Sequence, residues 1–436
     1  MSAIVETPSR VPLLERRYAA AFFLVTLLFF SWALAAQLND VLIRQFQKAL
    51  DLSRGQAGFI QTAFYGGYFF GAIPAALFMQ RFGFKKGILA GLALYCIGAL
   101  LFYPAAEVRM YFVFLGALYT IAFGLSFLET AANPYVSVMG AQETAPARLN
   151  LAQSFYGMGA FLGPFLGSLF IFSGVEYSAS ELAALSPAEL EAYRISEAKA
   201  VQIPYLVLAG AVAVLAFVIA RAKFPAVDED TGPAAKGGFR VLLKKRHLVL
   251  GVVTQFFYVG AQVAVWSFFV DFAIDVVPDM TERSAAQILS VGFIALLIGR
   301  FSGAFIMQHI APQRILSLYA IVATGLCLVA MLAGGWLALG ALWLTTFFMS
   351  IMFPTIFTLG IKGVGPLTKL ASSAMIMAII GGAIFPPVMG YVADASGIQA
   401  ALVVPIVGFV VVLIYGVWGH APTTTRDGAS SASNPP

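Results

Sequence analysis

Charge is what this sequence most lacks. Only 11% of its 436 residues are Asp, Glu, Lys or Arg, against 60% that are hydrophobic, and the mean hydropathy is +0.87. A chain of this size could not keep so apolar a surface in water, which excludes the soluble classes. Cysteine is nearly absent: Cys96 and Cys327 are the only two, in separate apolar runs, so no disulfide is expected and no redox compartment is implied. The three histidines, His247, His309 and His420, fall at the ends of apolar runs, which excludes a buried histidine relay, and no metal site is expected. No Gly-x4-Gly-Lys-Ser/Thr phosphate loop occurs, so nothing points to ATP as a driving force. The run from Gly157 to Gly163 is glycine-rich, but it has no strand before it and the wrong spacing for a dinucleotide loop, so no cofactor is expected. Ten-residue segments of alternating polarity are missing as well, which argues against a membrane barrel.

What the chain has instead is twelve apolar runs of about 20 residues each, roughly the length that crosses a hydrocarbon core of ~30 Å. The expected fold class is therefore an all-α membrane protein of twelve transmembrane helices. The run at 19–38 is too long for a signal-peptide core and no small-residue cleavage site follows it, so it is read as a retained helix. Net charge is +5 and the pI about 9.1, and the basic residues report orientation rather than nucleic-acid binding. With the N-terminus in the cytoplasm, inward loops hold about 18 Lys and Arg and outward loops about 7. Both termini are therefore expected on the cytoplasmic side. Short loops and a brief N-terminus suit a bacterial inner membrane.

The two halves repeat one another. The stretch from Gly71 to Gln80 and on to Lys86 lines up with Gly299 to Gln308 and Arg314 at a shift of 228. Pro134 and Gly140 match Pro354 and Gly360 at a shift of 220, and Gly159, Pro164 and Gly167 match Gly382, Pro387 and Gly390 at 223. A parallel six-plus-six repeat is the layout of major facilitator transporters, which hold cargo between the halves near mid-membrane. The expected division is a six-helix bundle at 1–222, a cytoplasmic linker at 223–246, a second six-helix bundle at 247–420 and a disordered tail at 421–436. Outside the membrane, Ser186-Pro187-Ala-Glu189 has the Ser-x-x-Glu pattern that starts a helix, with Pro at its first position. Small residues four apart, as in Gly67/Gly71 and Gly163/Gly167, let helix backbones approach closely.

Within these spans a few polar groups stand where a bilayer accepts them reluctantly, since a charge at membrane depth needs a partner or a watery cavity. Ser126, Glu129, Thr130 and Asn133 make a stripe along span four; an interhelical pair is the structural alternative to a functional acid. Trp32, Ala36, Gln37 and Asp40 share one face of span one, where Asp40 either marks the outer helix end or does chemistry. In span five, Gln153 serves equally as glue between helices or as a ligand group, and Tyr156 lies one turn on. Span seven puts Gln255, Gln262 and Trp266 on one face. Aromatic planes flanked by amides are what a sugar requires: its C–H face packs on a ring while its hydroxyls pair with Asn, Gln and carboxylate. Trp266 could equally belong to the interfacial aromatic belt. Arg148 reads as a cytoplasmic anchor, and Arg300 as a brace within the bundle.

Trp32 with Leu38-Asn39-Asp40, Gln61-x-Ala-Phe-Tyr65-x-Gly-Tyr68, Leu128-Glu-Thr-Ala-Ala-Asn-Pro134, Arg148-Leu-Asn-Leu-Ala-Gln153, Tyr258-Val-Gly-Ala-Gln262 and Phe353-Pro-Thr-Ile-Phe357 together resemble the L-fucose–proton symporter branch of the major facilitator superfamily, over nearly the whole chain. The resemblance implies that Asp40 and Glu129 occupy the positions of that branch's two membrane carboxylates, which couple the proton to the sugar. It also implies that Gln153 is a sugar-cavity amide. Gln37 and Tyr156 stand where the fucose symporter has Asn, and Phe353 where it has Tyr, changes that reshape a pocket discriminating by hydrogen bonds. The similar glucose/galactose branch carries Gln at the position of Glu129, so this chain keeps the proton-coupled pattern.

The expected function is a proton-coupled symporter importing a hexose or a deoxyhexose such as L-fucose by alternating access, working as a monomer in the lipid bilayer without a cofactor. The proton-coupling pair would be Asp40 and Glu129. The sugar site would comprise Trp32, Gln37, Asn133, Gln153, Tyr156, Gln262, Trp266 and Phe353. A glucose/galactose or amino-sugar transporter is the nearest alternative. A proton-driven exporter would want a more apolar cavity, and a membrane-embedded enzyme a His/Asp or paired-carboxylate constellation near an interface, which the sequence does not show.

Overall fold

A computed structural model describes residues 12–50, 54–170, 181, 184–225 and 238–421, without the side chains of 38–49, 54–59, 164–170 and 282–283. Much of the expected linker, part of the outer stretch between spans five and six, and the tail from 422 onward thus lie outside the described residues. Among the described residues there are helices and no strands. Eleven helical spans are long and apolar enough to cross a membrane. The twelfth crossing is α5, the 26-residue helix Ala145–Phe170.

The first half comprises α1 (Ala19–Leu50), α2 (Arg54–Phe82), α3 (Phe84–Val108), α4 (Tyr111–Val138), α5 and, after the surface helix α6 (Pro187–Lys199), α7 (Gln202–Arg221). The expected helix start at Ser186 is present: its hydroxyl accepts from the Glu189 N–H at 3.3 Å, and the Glu189 carboxylate accepts from the Ser186 N–H at 2.9 Å. That same serine holds the exposed Glu189 carboxyl below the usual carboxylate range. The second half begins with the short α8 (Gly238–Leu243), which occupies part of the expected linker. It continues through α9 (Arg246–Ser267), α10 (Phe269–Val276), α11 (Glu282–Ile306), α12 (Pro312–Leu332), α13 (Gly335–Met349) and α14 (Met352–Gly360). It closes with α15 (Thr368–Met377), α16 (Gly381–Ser396), α17 (Ile398–Ala401) and α18 (Val403–Ile414).

The sequence repeat reappears as a repeat of packing. In the first half α1 packs on α5, α2 on α4, and α3 on both α4 and α7; in the second, α9 packs on α16, α11 on α13, and α12 on both α13 and α18. Between halves, α5 meets α11 and α14, while α2 and α4 meet α15. Two glycines show why these contacts are close. A Cβ on Gly67 would sit 2.7 Å from that of Ala122 in α4, and one on Gly163 would sit 2.6 Å from that of Gln37 in α1, too near for any larger residue.

The halves differ in continuity. Alpha4 runs unbroken through Pro134, whereas its counterpart is split into α13 and α14, with Pro354 in the first turn of α14, where a missing N–H removes no helical bond. The helix at 368–396 is likewise interrupted, by a 3-10 turn at Ala378–Ile380. Interrupted backbone within a bilayer must be satisfied by protein, because no lipid group can serve it.

Arg148 departs from its expected role as an anchor at the membrane surface. It is fully buried and holds the end of α4. Its Nε donates to Val136 O at 2.7 Å, Nη2 to Ser137 O at 2.6 Å, and Nη1 to Thr144 Oγ1 at 2.8 Å and Leu13 O at 3.1 Å. A cation at a helix C-terminus also opposes the negative end of the dipole. Arg148→Met should therefore lower the thermal midpoint of the detergent-solubilised protein by about 5 °C or more, read by a thiol-independent melt; an unchanged midpoint would show that water alone can serve those carbonyls.

Candidate functional site

One cavity of about 650 Å³ lies between the halves at mid-bundle. Alpha1 contributes Trp32 and Gln37 to its wall, α2 contributes Gln61, Tyr65 and Tyr68, α4 contributes Glu129, and α5 contributes Gln153 and Tyr156. From the second half come Gln262 and Trp266 of α9, Leu289, Phe293 and Arg300 of α11, Phe353 of α14 and Ile379 of the 3-10 turn. The first half thus presents mainly amides, tyrosines and an acid. The second presents an apolar face broken by Gln262, Trp266 and Arg300.

Ser126, Glu129 and Asn133 of the α4 stripe each have a hydrogen-bond partner. The Ser126 hydroxyl donates to Tyr68 O at 3.0 Å, the Tyr68 hydroxyl donates to Glu129 Oε1 at 2.9 Å, and Gln153 Nε2 donates to Asn133 Oδ1 at 3.0 Å. Glu129 is buried but reaches the cavity wall, and among the described residues it makes no ion pair. The interhelical pair that stood as its structural alternative is present, as a hydrogen bond from the Tyr68 hydroxyl of α2 and not as a salt bridge. Asn133 is fully buried, does not line the cavity, and stands behind Gln153. Asp40 lies in α1, and its side chain falls outside the described ones.

The other sequence candidates, Trp32, Gln37, Gln153, Tyr156, Gln262, Trp266 and Phe353, all line this one cavity. Trp266 turns inward, edge-on to Phe293 with ring centres 5.1 Å apart, and its buried indole N–H has no hydrogen-bond partner. That is a donor held ready at the wall of a polar cavity, and it sets aside the aromatic-belt reading. Among the described residues no group of His, Cys, Asp and Glu could hold a metal ion.

These observations can be set beside known proteins. The sequence pattern of the Major Facilitator Superfamily matches residues 21–377. The chain is 45% identical to the L-fucose-proton symporter of Escherichia coli over 408 residues, covering 92% of this chain and 93% of that one. It is 38% identical to a glucose/galactose transporter of Brucella abortus, covering 93% and 95%. A crystal structure of the major facilitator transporter FucP in the outward conformation matches with a TM-score of 0.86 and 44% identity, over 94% of this chain and all of that one. The chain belongs to the L-fucose–proton symporter family of the major facilitator superfamily. It is a multi-pass membrane carrier, not an enzyme.

Within this major facilitator cavity, the broken helix positions Phe353, and two side chains make the break tolerable. Alpha13 stops at Met349, leaving carbonyls that water cannot reach. The Tyr258 hydroxyl donates to Met349 O at 2.8 Å and Arg300 Nε donates to Ser350 O at 3.0 Å. Arg300 Nη1 also donates to Gln153 O across the halves at 2.6 Å, with its guanidinium 5.1 Å from the Tyr156 ring centre. Gln262 Nε2 donates in turn to the Tyr258 hydroxyl at 2.7 Å. Arg300 is therefore a brace, as its sequence position suggested, and also part of the cavity wall. The residues missed from sequence, Gln61, Tyr65 and Tyr68, carry a signal that was available: steps of four and three place them on one helical face.

Replacing Tyr258 with Phe should cost about 1 kcal/mol, a neutral hydrogen bond, while Arg300→Met should cost two- to threefold more because its bonds are charge-assisted. Unfolding in detergent compares the two; equal losses would contradict the helix-end account.

Proposed function

We propose that this carrier is a proton-coupled symporter importing a hexose or deoxyhexose, with L-fucose and glucose/galactose as the first candidates from the names its relatives carry. It resides in a bacterial inner membrane with both termini cytoplasmic and acts as a monomer. The observation that carries the reading is Glu129. It is a carboxylate buried in the wall of a polar cavity between duplicated halves, held by the neutral Tyr68 and without a fixed counter-ion among the described residues. Burial costs the charged form of an acid far more than the neutral one. Protonated, the Glu129 carboxyl can donate to a sugar hydroxyl and the cavity can close over a neutral site. Ionised and unpaired, it opposes closure. Asp40, nearer the mouth of the same helix bundle, would load the proton. The two carboxyls would titrate as a coupled pair, with apparent values that belong to neither alone.

The sugar would lie against the first half's amides, Gln37 and Gln153, with Gln262 opposite and the rings of Trp32, Tyr156, Trp266 and Phe353 around it. Asn133 takes part as a positioning residue: by accepting from Gln153 Nε2 it leaves the Gln153 carbonyl as the group facing cargo. Besides Arg300 to Gln153 O at the cavity wall, the halves are joined beyond the cavity, toward the α4–α5 connection, by Asn150 to Thr355 and Ser372 to the Thr130 carbonyl. This supports a cavity loaded from the opposite, outer face.

Purified protein in liposomes provides the test. Under an imposed proton gradient, wild type should concentrate labelled sugar. Glu129→Gln should lose that accumulation entirely while keeping sugar exchange between loaded and external pools; accumulation by the variant would remove Glu129 from coupling. Competition by fucose, galactose, glucose, mannose and amino sugars then assigns the cargo. Tyr156→Asn and Phe353→Tyr, which restore the fucose-symporter side chains, should each shift the preference toward fucose by about tenfold, the size of one hydrogen bond in a discriminating pocket.

A further inference from the structure

A second cavity, of about 550 Å³, lies toward the α4–α5 connection and is lined by Ser137, Met307 and Thr358 among others. Between the residues that α4, α5 and α14 give to the two cavities stands a partition that includes the fully buried polar side chains of Thr130, Asn133, Asn150 and Thr355. Hydrogen bonds run through it from end to end. Gln153, on the central cavity, donates to Asn133, and Ser137, on the second cavity, donates to the Asn133 carbonyl at 2.8 Å. Asn150 Nδ2 donates to Pro146 O at 2.9 Å and to Thr355 Oγ1 at 3.3 Å, and it lies 3.5 Å from the Met307 sulfur.

Three atoms of this partition have no partner: Asn133 Nδ2, Asn150 Oδ1 and Thr130 Oγ1. They are complementary, one a donor, one an acceptor and one a hydroxyl that can be either. Asn133 and Asn150 are linked through α5. Gln153, bonded to Asn133, is one turn along α5 from Asn150, a rise of about 4.5 Å. Buried polar groups left without a partner are rare, and where several converge an ordered water usually serves them.

We infer that the partition binds ordered water at Asn133 and Asn150, and that its amides insulate Glu129 from the second cavity against protons. The water accepts from Asn133 Nδ2 and donates to Asn150 Oδ1. The Asn150 amide is held in one orientation by the Pro146 carbonyl, which can only accept, and an amide neither takes nor releases a proton at ordinary pH. Water and cargo can therefore loosen this partition as it opens without a proton crossing it while it is closed. The inference rests on the symport reading only in taking Glu129 as the proton carrier.

The test uses full-length protein in liposomes loaded with a pH-sensitive dye, under a pH gradient and with no sugar present. Wild type should add no proton flux over empty liposomes. Asn150→Asp and Asn133→Asp put a titratable group beside the water and should each raise flux at least fivefold over wild type; Asn150→Leu, which excludes the water, should leave it at the wild-type level. Asp variants that keep the wild-type melting midpoint yet conduct no protons would overturn the inference. If they fail to fold, the wild-type map decides it: water density between Asn133 and Asn150 in a high-resolution structure supports the proposal, and a dry partition overturns it. Because no sugar enters the assay, failure here leaves the symport reading untouched, whereas failure of sugar accumulation leaves this result standing.

Discussion

The fold is governed by one constraint: inside a bilayer, a polar group must be answered by the protein or by water that the protein encloses. Backbone carbonyls set free by helix ends and interruptions are the plainest case. Arg148 closes the end of α4, Arg300 and Tyr258 close the end of α13, and Lys85 donates to Ala220 O and Ala222 O, each at 2.8 Å, at the end of α7. Cations in a membrane chain are costly, and here three of them are spent on helix C-termini, where the dipole also favours positive charge.

The proposed coupling depends on a weaker answer. Among the described residues Glu129 is hydrogen-bonded by the Tyr68 hydroxyl, a neutral donor that can serve either protonation state of the acid, and the Arg300 charge acts on it from the same cavity wall. A carboxylate locked to arginine would be an inert strut. One held by a phenol at the edge of a wet cavity can exchange its proton as the surroundings change from open to closed. The amides around it do not titrate, so in the proposed mechanism the carboxyl carries the proton while the amides hold cargo.

Much of this was legible in the sequence because it depends on periodicity and scarcity. Twelve apolar runs, three repeat offsets and the Ser186–Glu189 helix start required only pattern, and Trp32 with Gln37, or Gln262 with Trp266, shared faces that the cavity then used. The failures are contacts between segments remote in sequence. Nothing about Asn133 alone says that it stands behind Gln153 rather than beside cargo, since both outcomes suit an amide on a polar face. Arg148 looked like a surface anchor because it begins a span, but the carbonyls it serves belong to the helix before. The interruption between α13 and α14 was hidden as well, because Pro134 at the matching place leaves α4 intact.

Infrared difference spectroscopy on the purified protein tests the central claim most directly, because it observes the Glu129 proton itself. On adding transported sugar at neutral pH, wild type should gain or shift the C=O stretch of a protonated carboxylic acid, a band missing from Glu129→Gln. A spectrum in which that band does not respond to sugar, or is unchanged in the variant, would contradict the account.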